Sequence, residues 1–328
     1  MELSRRKLYV HVGPMKTGTT AVQYYLRKHD ESVLMYPKVG LYAGAHHGLV
    51  FNFFKSRRAR RAGIADVDEL FEQVARCTRN RDIDVLISSE SLAPMAWNEP
   101  VDVGSFIRAL VPHIGTNAPE VEILIACREH FSWAASTYNQ SLKGGSEQRD
   151  PDEYLRTYAA RLCFAPTLRG LRNTGFNVTA LNYHPSESWV ERFLTHVGFP
   201  RHLIPRAQTK NISLSSAGLI AKLASNRVER NAEKKRQLRG KLKKTPEFGA
   251  PSQFIFGSGV SEEAERLFAE DRASLSQEFG IELPVPRLDS PNMFFIQTED
   301  LARIKELVRS LGIDGDAVVE NARQYVRA

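Results

Sequence analysis

The chain has 328 residues, a formal net charge of +7, 42% hydrophobic and 25% charged residues. Those proportions are ordinary for a soluble globular protein, and the length allows one large α/β domain or a domain with a helical appendage. No apolar run reaches the roughly eighteen residues of a membrane-spanning helix. The N-terminal MELSRRKLYVHVG shows no apolar stretch with a small-residue cleavage site, so a cytoplasmic location is expected.

In chain order, Leu8, Val10 and Val12 alternate with Tyr9 and His11 up to Gly13, the pattern of a buried strand. Val22, Tyr25 and Leu26 then predict a helix over 19–29. Residues 30–63, with YAGAHHGLVFNFF, read as irregular. A helix is expected over 67–78, a strand over 84–90 (DVLISSE), a helix near 103–111 and a strand over 121–127 (VEILIAC). Phe131, Ala134, Ala135, Tyr138 and Leu142 mark a further helix, with others near 151–161 and 166–173 and a strand at 176–183. Beyond Ser186 helices dominate, over 187–197, 213–242, 261–279, 298–311 and 315–327. A long loop, KKTPEFGAPSQFIFGSGVS, separates the middle two, and loops of that length are often functional.

Strand and helix alternate over about the first 185 residues, which predicts an α/β fold: a P-loop-type, doubly wound parallel sheet flanked by helices, with a helical C-terminal third. Residues 1–200 form the expected core. Residues 201–328 form an extension packing on it, as a lid or an acceptor-binding part, within one structural domain.

Cys77, Cys127 and Cys163 are far apart and odd in number, so neither a zinc site nor a disulfide framework follows, and buried thiols are expected. The window Arg227–Lys244 holds nine basic and two acidic residues, which accounts for the whole net charge. Lys55–Arg61 adds five basic residues in seven. Such patches either form solvated faces or favour anionic partners: a nucleotide, an acidic glycan, a membrane surface or a nucleic acid.

The stretch GPMKTGTT, Gly13–Thr20, joins the first strand to the first helix. Successive backbone N–H groups at a helix start, with the helix dipole, make an anion site. Gly18 permits close approach of a phosphate, Thr17, Thr19 and Thr20 offer hydroxyls, and Lys16 adds a charge. The glycine spacing matches the common nucleotide loop G-x-x-x-x-G-K-[ST], but Thr19 stands in the lysine slot and Lys16 precedes the second glycine. That arrangement suits a short anionic chain better than a magnesium-bound triphosphate.

These residues resemble the 5′-phosphosulfate loop of sulfotransferases that use 3′-phosphoadenosine-5′-phosphosulfate (PAPS), in particular the bacterial and carbohydrate-type branches with a KTGTT core. A second motif lies in ILIACREHFSWAAS, where Arg128 ends a predicted strand and Ser136 follows eight residues later. It is similar to the family's 3′-phosphate motif. By that resemblance Pro14, Lys16, Thr17, Gly18, Thr19, Thr20, Arg128 and Ser136 bind the donor, with Lys210 and Asn211 as further candidates from TKNISLS. The resemblance covers about the first 200 residues at the level of motifs.

The implied chemistry is transfer of a sulfuryl group from PAPS to a hydroxyl or amine by in-line displacement, with no metal required. Lys16 is the expected cation at the leaving group. Glu90, at the end of DVLISSE, is the first candidate for the base, with His46 and His47 as rivals. His130 stands beside Arg128, and His11 reads as a core histidine. The cytosolic small-molecule branch carries a Lys-Thr-His run that is absent here, which points toward a carbohydrate or glycolipid acceptor. No nucleic-acid partner is expected, while the basic segments leave open a peripheral contact with the inner membrane. Two other readings compete: a nucleotide-dependent kinase of the same fold, and a non-enzymatic anion- or nucleic-acid-binding protein built around the basic helix.

Overall fold

The computed structural model describes residues 6–29, 31–79, 81–93, 101–114, 120–184, 189–204, 213–250, 254–289 and 291–327. The apolar run at the start forms strand β1 (Lys7–Gly13), followed by helix α1 (Thr19–Lys28), the short strand β2 (Leu34–Met35), and helices α2 (His47–Phe53), α3 (Ala59–Ala62) and α4 (Val67–Thr78). Next come β3 (Asp84–Ser88), α5 (Val103–Leu110), β4 (Glu120–Arg128), α6 (His130–Gly144), α7 (Pro151–Tyr158), α8 (Ala165–Arg172), β5 (Asn177–Tyr183) and α9 (Trp189–His196). The remainder holds β6 (Ser213–Leu214), α10 (Ser216–Val228), α11 (Ala232–Lys244), β7 (Gly249–Ala250), α12 (Ser258–Phe279), α13 (Thr298–Arg309) and α14 (Gly315–Arg323).

Three local expectations are corrected. The segment 30–63 is not irregular, because it carries β2, α2 and α3. Neither α2 nor α3 has a side chain capping its start, so the usual helix-start signal is missing. The helix expected over 213–242 is two helices. It breaks after Val228, and the Asn231 side chain accepts hydrogen bonds from the N–H groups of Glu233 and Lys234 to begin α11. The strand expected over 84–90 stops at Ser88, and Glu90 opens a 3-10 turn, Glu90–Leu92.

The chain divides into two units interleaved along the sequence. The first comprises Met1–Arg128, Phe164–Thr209 and Arg272–Leu283, the second Glu129–Cys163, Lys210–Asp271 and Pro284–Ala328. The first unit contains a five-stranded, all-parallel sheet in the order β2-β3-β1-β4-β5, flanked by helices. The central strand β1 is buried on both faces, as a parallel strand covered by helices must be. On one face Tyr9, Leu86 and Leu124 pack with Val22 of α1 and with Trp189 and Phe193 of α9. The connection leaving β1 runs toward one edge of the sheet and that leaving β4 toward the other. The carboxyl edge between them is therefore a topological switch point, where parallel α/β sheets bind ligands.

The second unit is helical, with one two-stranded antiparallel ribbon of β6 and β7. Part of the basic window is absorbed into its packing. Lys235 donates to the carbonyls of Gly145 and Asn226, and Lys241 donates to the Ser310 hydroxyl at 2.8 Å. Cys127 and Cys163 are buried, whereas Cys77 is half-buried. Among the described residues, no helix is long and apolar enough to cross a membrane.

Candidate active site

The site is built in the first unit, where the segments following β1 and β3 meet the carboxyl ends of β4 and β5. The loop after β1 turns through three left-handed residues, Gly13 (φ 97°), Lys16 (φ 70°) and Gly18 (φ 76°). Glycine takes this conformation freely, whereas Lys16 holds it at a cost of about 1–2 kcal/mol. A side chain on Gly13 would come within 3.1 Å of the Glu90 backbone, so glycine lets the loop and the Glu90 turn lie in contact. Gly18 begins α1 without a side-chain cap, and the first turn holds no acidic residue. The first N–H groups of α1 and its positive dipole end are left for a bound anion.

The three threonines have different fates. Thr17 is buried, and its hydroxyl donates to the Pro14 carbonyl at 2.6 Å, so its proton pins the loop instead of serving a ligand. Thr19 is buried and donates to Glu90 Oε1. Thr20 is exposed on the first turn of α1.

Arg128, at the end of β4, is buried, and its Nη1 donates to the Lys16 carbonyl at 2.7 Å. The guanidinium also lies 5.4 Å from the ring centre of Tyr183, its register partner at the end of β5. Arg128 thus braces the loop after β1 across the β1–β4 edge, a role beyond the expected phosphate contact. Ser136 lies on α6, in the second unit. Lys210 and Asn211 lie outside the described residues.

Glu90 is the hub of a polar cluster. Its Oε1 accepts from Thr19, and its Oε2 accepts from Gln23 Nε2 at 3.2 Å and lies 3.3 Å from His47 Nε2. Gln23 also donates to the Ser88 hydroxyl at 3.0 Å, which lies 2.9 Å from His11 Nδ1. Burial raises the Glu90 carboxyl. The neighbouring His47, the Thr19 hydroxyl, the residue's own backbone N–H and His11 together outweigh burial and hold the group below the ordinary carboxylate range. Glu90 is therefore ionised at neutral pH.

His47 is lowered by burial first; Glu90 offsets this in part and the Arg58 charge adds to it. Its Nε2 lies 3.3 Å from Glu90 Oε2, so the two groups act on each other electrostatically. Its Nδ1 lies 2.7 Å from Ser89 Oγ and 3.0 Å from Ser91 Oγ. Ser89 Oγ already accepts from the Ser91 N–H, so its own proton is available to Nδ1 and the ring proton sits on Nε2, facing Glu90.

His46, one residue earlier, does not face a pocket. The Ser88 N–H donates to its Nδ1 at 3.1 Å, its Nε2 donates to the Pro37 carbonyl at 2.8 Å, and burial pushes it down to about 4. Both nitrogens are used, one tying the start of α2 to β3 and the other to Pro37 just after β2, which leaves neither to take an acceptor's proton. His11 is likewise buried in mid-strand and pushed down to about 4.

Sequence reasoning missed Gln23, Ser89, Ser91, Tyr183 and Trp189. Gln23 was within reach of it, since it stands four residues after Thr19 and so on the same helix face. Trp189 packs against Gly18, and its buried indole N–H has no hydrogen-bond partner among the described residues. Nothing local in the sequence marks that contact. Among the described residues, no group of three or more His, Cys, Asp or Glu is placed to hold a metal ion.

No family model matches the chain, and no curated protein matches it in sequence. Among solved structures the chain is similar to a sulfotransferase from Alicyclobacillus acidocaldarius, with a TM-score of 0.49 and 14% identity over 85% of this chain and 98% of that one. A likeness this distant decides neither fold nor chemistry, and both rest on this chain's own sheet and side chains.

Proposed function

We propose that the protein is a sulfotransferase that takes a sulfuryl group from PAPS and passes it to a hydroxyl or amine, on a carbohydrate or glycolipid acceptor. The observation that carries this reading is the pairing of an uncapped, acid-free anion cradle with an ionised, half-enclosed carboxylate, Glu90, bonded directly to the cradle's first helical residue. A cradle alone would suit any phosphate ligand. A carboxylate base at its lip suits transfer to an acceptor that must lose a proton.

The residues present fit an anionic donor. The backbone N–H groups at Gly18–Thr20, with the Lys16 charge, hold its 5′ end, and the unpartnered Trp189 N–H lies beside the same glycine. Arg128 keeps this loop in shape through the Lys16 carbonyl and presents a guanidinium at the same edge for a second phosphate. Glu90 accepts the acceptor's proton, while Gln23 and His47 hold its other oxygen in place. Lys16 offsets charge that builds on the leaving oxygen. Arg58, which acts electrostatically on His47, favours an anionic reactant here.

The test is calorimetric titration with adenosine 3′,5′-bisphosphate, using AMP and ATP–magnesium as comparators. The reading expects the bisphosphate to bind at least about tenfold more tightly than AMP, as a second charge-assisted contact implies. Preference for ATP–magnesium would shift the protein to the kinases. Salt-sensitive DNA binding with no nucleotide binding would make it a nucleic-acid-binding protein.

A further inference from the structure

Thr19 has one hydroxyl proton and two claimants. In the structure that proton goes to Glu90 Oε1. Thr19 is also the first residue of α1, at the point where the cradle's N–H groups converge. An ionised carboxylate and a phosphate oxygen can both only accept, so one hydroxyl cannot serve both at once. Glu90 does not depend on Thr19 alone, because Gln23 and His47 hold Oε2 from α1 and α2. Among the described residues, the charged and titratable groups around the carboxylate are His47 on α2, His11 on β1, Tyr36 just after β2 and, acting on His47 and Tyr36 respectively, Arg58 and Arg27.

Resting on the donor-site reading above, we propose that Thr19 is a positioning switch. Phosphate entering the cradle takes the Thr19 proton, and the released Glu90 Oε1 becomes free to accept the acceptor's proton. Filling of the donor site and readying of the base are then one event. Without donor, Oε1 stays covered by the Thr19 hydroxyl, which imposes an order: donor first, then a productive acceptor. The atoms balance without a further reactant. The Thr19 proton changes hydrogen-bond partner without leaving its oxygen, and at neutral pH, where Glu90 is ionised, the carboxylate gains its proton from the acceptor.

A binding cycle tests this without any acceptor, using adenosine 3′,5′-bisphosphate on the full chain. In the wild type Glu90 competes for the Thr19 proton. Glu90→Gln, whose amide can donate to Thr19 Oγ1, is expected to tighten the bisphosphate about tenfold, the worth of one charge-assisted hydrogen bond. In a Thr19→Val background, with no proton to compete for, Glu90→Gln should change affinity by about twofold or less. Thr19→Ser, which keeps the hydroxyl, should behave as wild type. Equal tightening in both backgrounds would mean simple charge repulsion and would overturn the switch, as would no tightening by Glu90→Gln.

A second measurement needs no variant to fold well. Wild-type binding near pH 5, compared in buffers of different ionisation enthalpy, should show proton uptake, because Glu90 loses a donor and gains a negative neighbour. Tight binding with no proton uptake would refute the switch and leave the donor site standing. Absence of bisphosphate binding would remove the donor site, and the switch with it.

Discussion

Gly18→Ala tests the packing of the loop between β1 and α1 most directly. The added methyl would lie 2.4 Å from Trp189 Cδ1, 2.9 Å from Trp189 Nε1 and 3.0 Å from Tyr183 Cε2. None of these is the free end of a flexible chain, since Trp189 is buried between Tyr183 and Phe193. The backbone there has φ 76°, which costs an alanine about 1–2 kcal/mol. Overpacking against the indole adds about 1–3 kcal/mol. The sum, about 2–5 kcal/mol, corresponds to a fall in Tm of roughly 4–20 °C. Thermal and urea unfolding would measure it, together with a cycle that includes Trp189→Leu. Because the methyl collides with the indole, the two substitutions should be non-additive, the double variant being about 1–3 kcal/mol more stable than the sum of the singles predicts. A Gly18→Ala protein within about 0.5 kcal/mol of wild type, or strict additivity in the cycle, would refute the claim that Trp189 and Tyr183 wall the loop.

Other expectations follow from the same geometry. Arg128→Ala removes the donor to the Lys16 carbonyl, so AMP affinity should fall along with bisphosphate affinity, by about tenfold or more; unchanged AMP binding would show that Arg128 does not brace the loop. The folded-state depression of Glu90 contributes stability that is present above its unfolded value of 4.5 and lost as pH falls through the lower folded value. His47→Leu removes the strongest of the influences that lower it, so the carboxyl should titrate higher by carbon-13 NMR, and an unmoved titration would exclude that coupling. Lys222 is fully buried in the second unit and pushed down to about 8 from 10.5, first by burial and then by Lys235 and Arg239. From about pH 8 to 10.5 the unfolded chain holds a proton at this lysine that the folded one has lost, so Lys222 itself contributes a rise in stability on the order of 3 kcal/mol, against the buried Cys163 thiol and tyrosines whose raised values act in the opposite sense. Urea unfolding across that range should show the difference in stability between wild type and Lys222→Met move in favour of wild type as pH rises; a difference that does not change with pH would rule out a buried, shifted lysine.

The parallel sheet and the strand–turn–helix at its centre were legible in the sequence because their causes are local. Leu8, Val10 and Val12 before Gly13 encode a buried strand, and two glycines around a lysine with threonines at a helix start encode a turn that exposes N–H groups. Tertiary structure decided what each group in that loop does. Thr17 spends its proton on Pro14, Thr19 shares its proton with a carboxylate 71 positions away, and Arg128 reaches back 112 positions to the Lys16 carbonyl. No local pattern records such partners. His46 and His47 make the point most sharply. They are adjacent and chemically identical, yet one is locked between Pro37 and Ser88 and the other faces Glu90. Consecutive residues at a helix start point in different directions, and only the neighbouring strand end determines which direction is core and which is site.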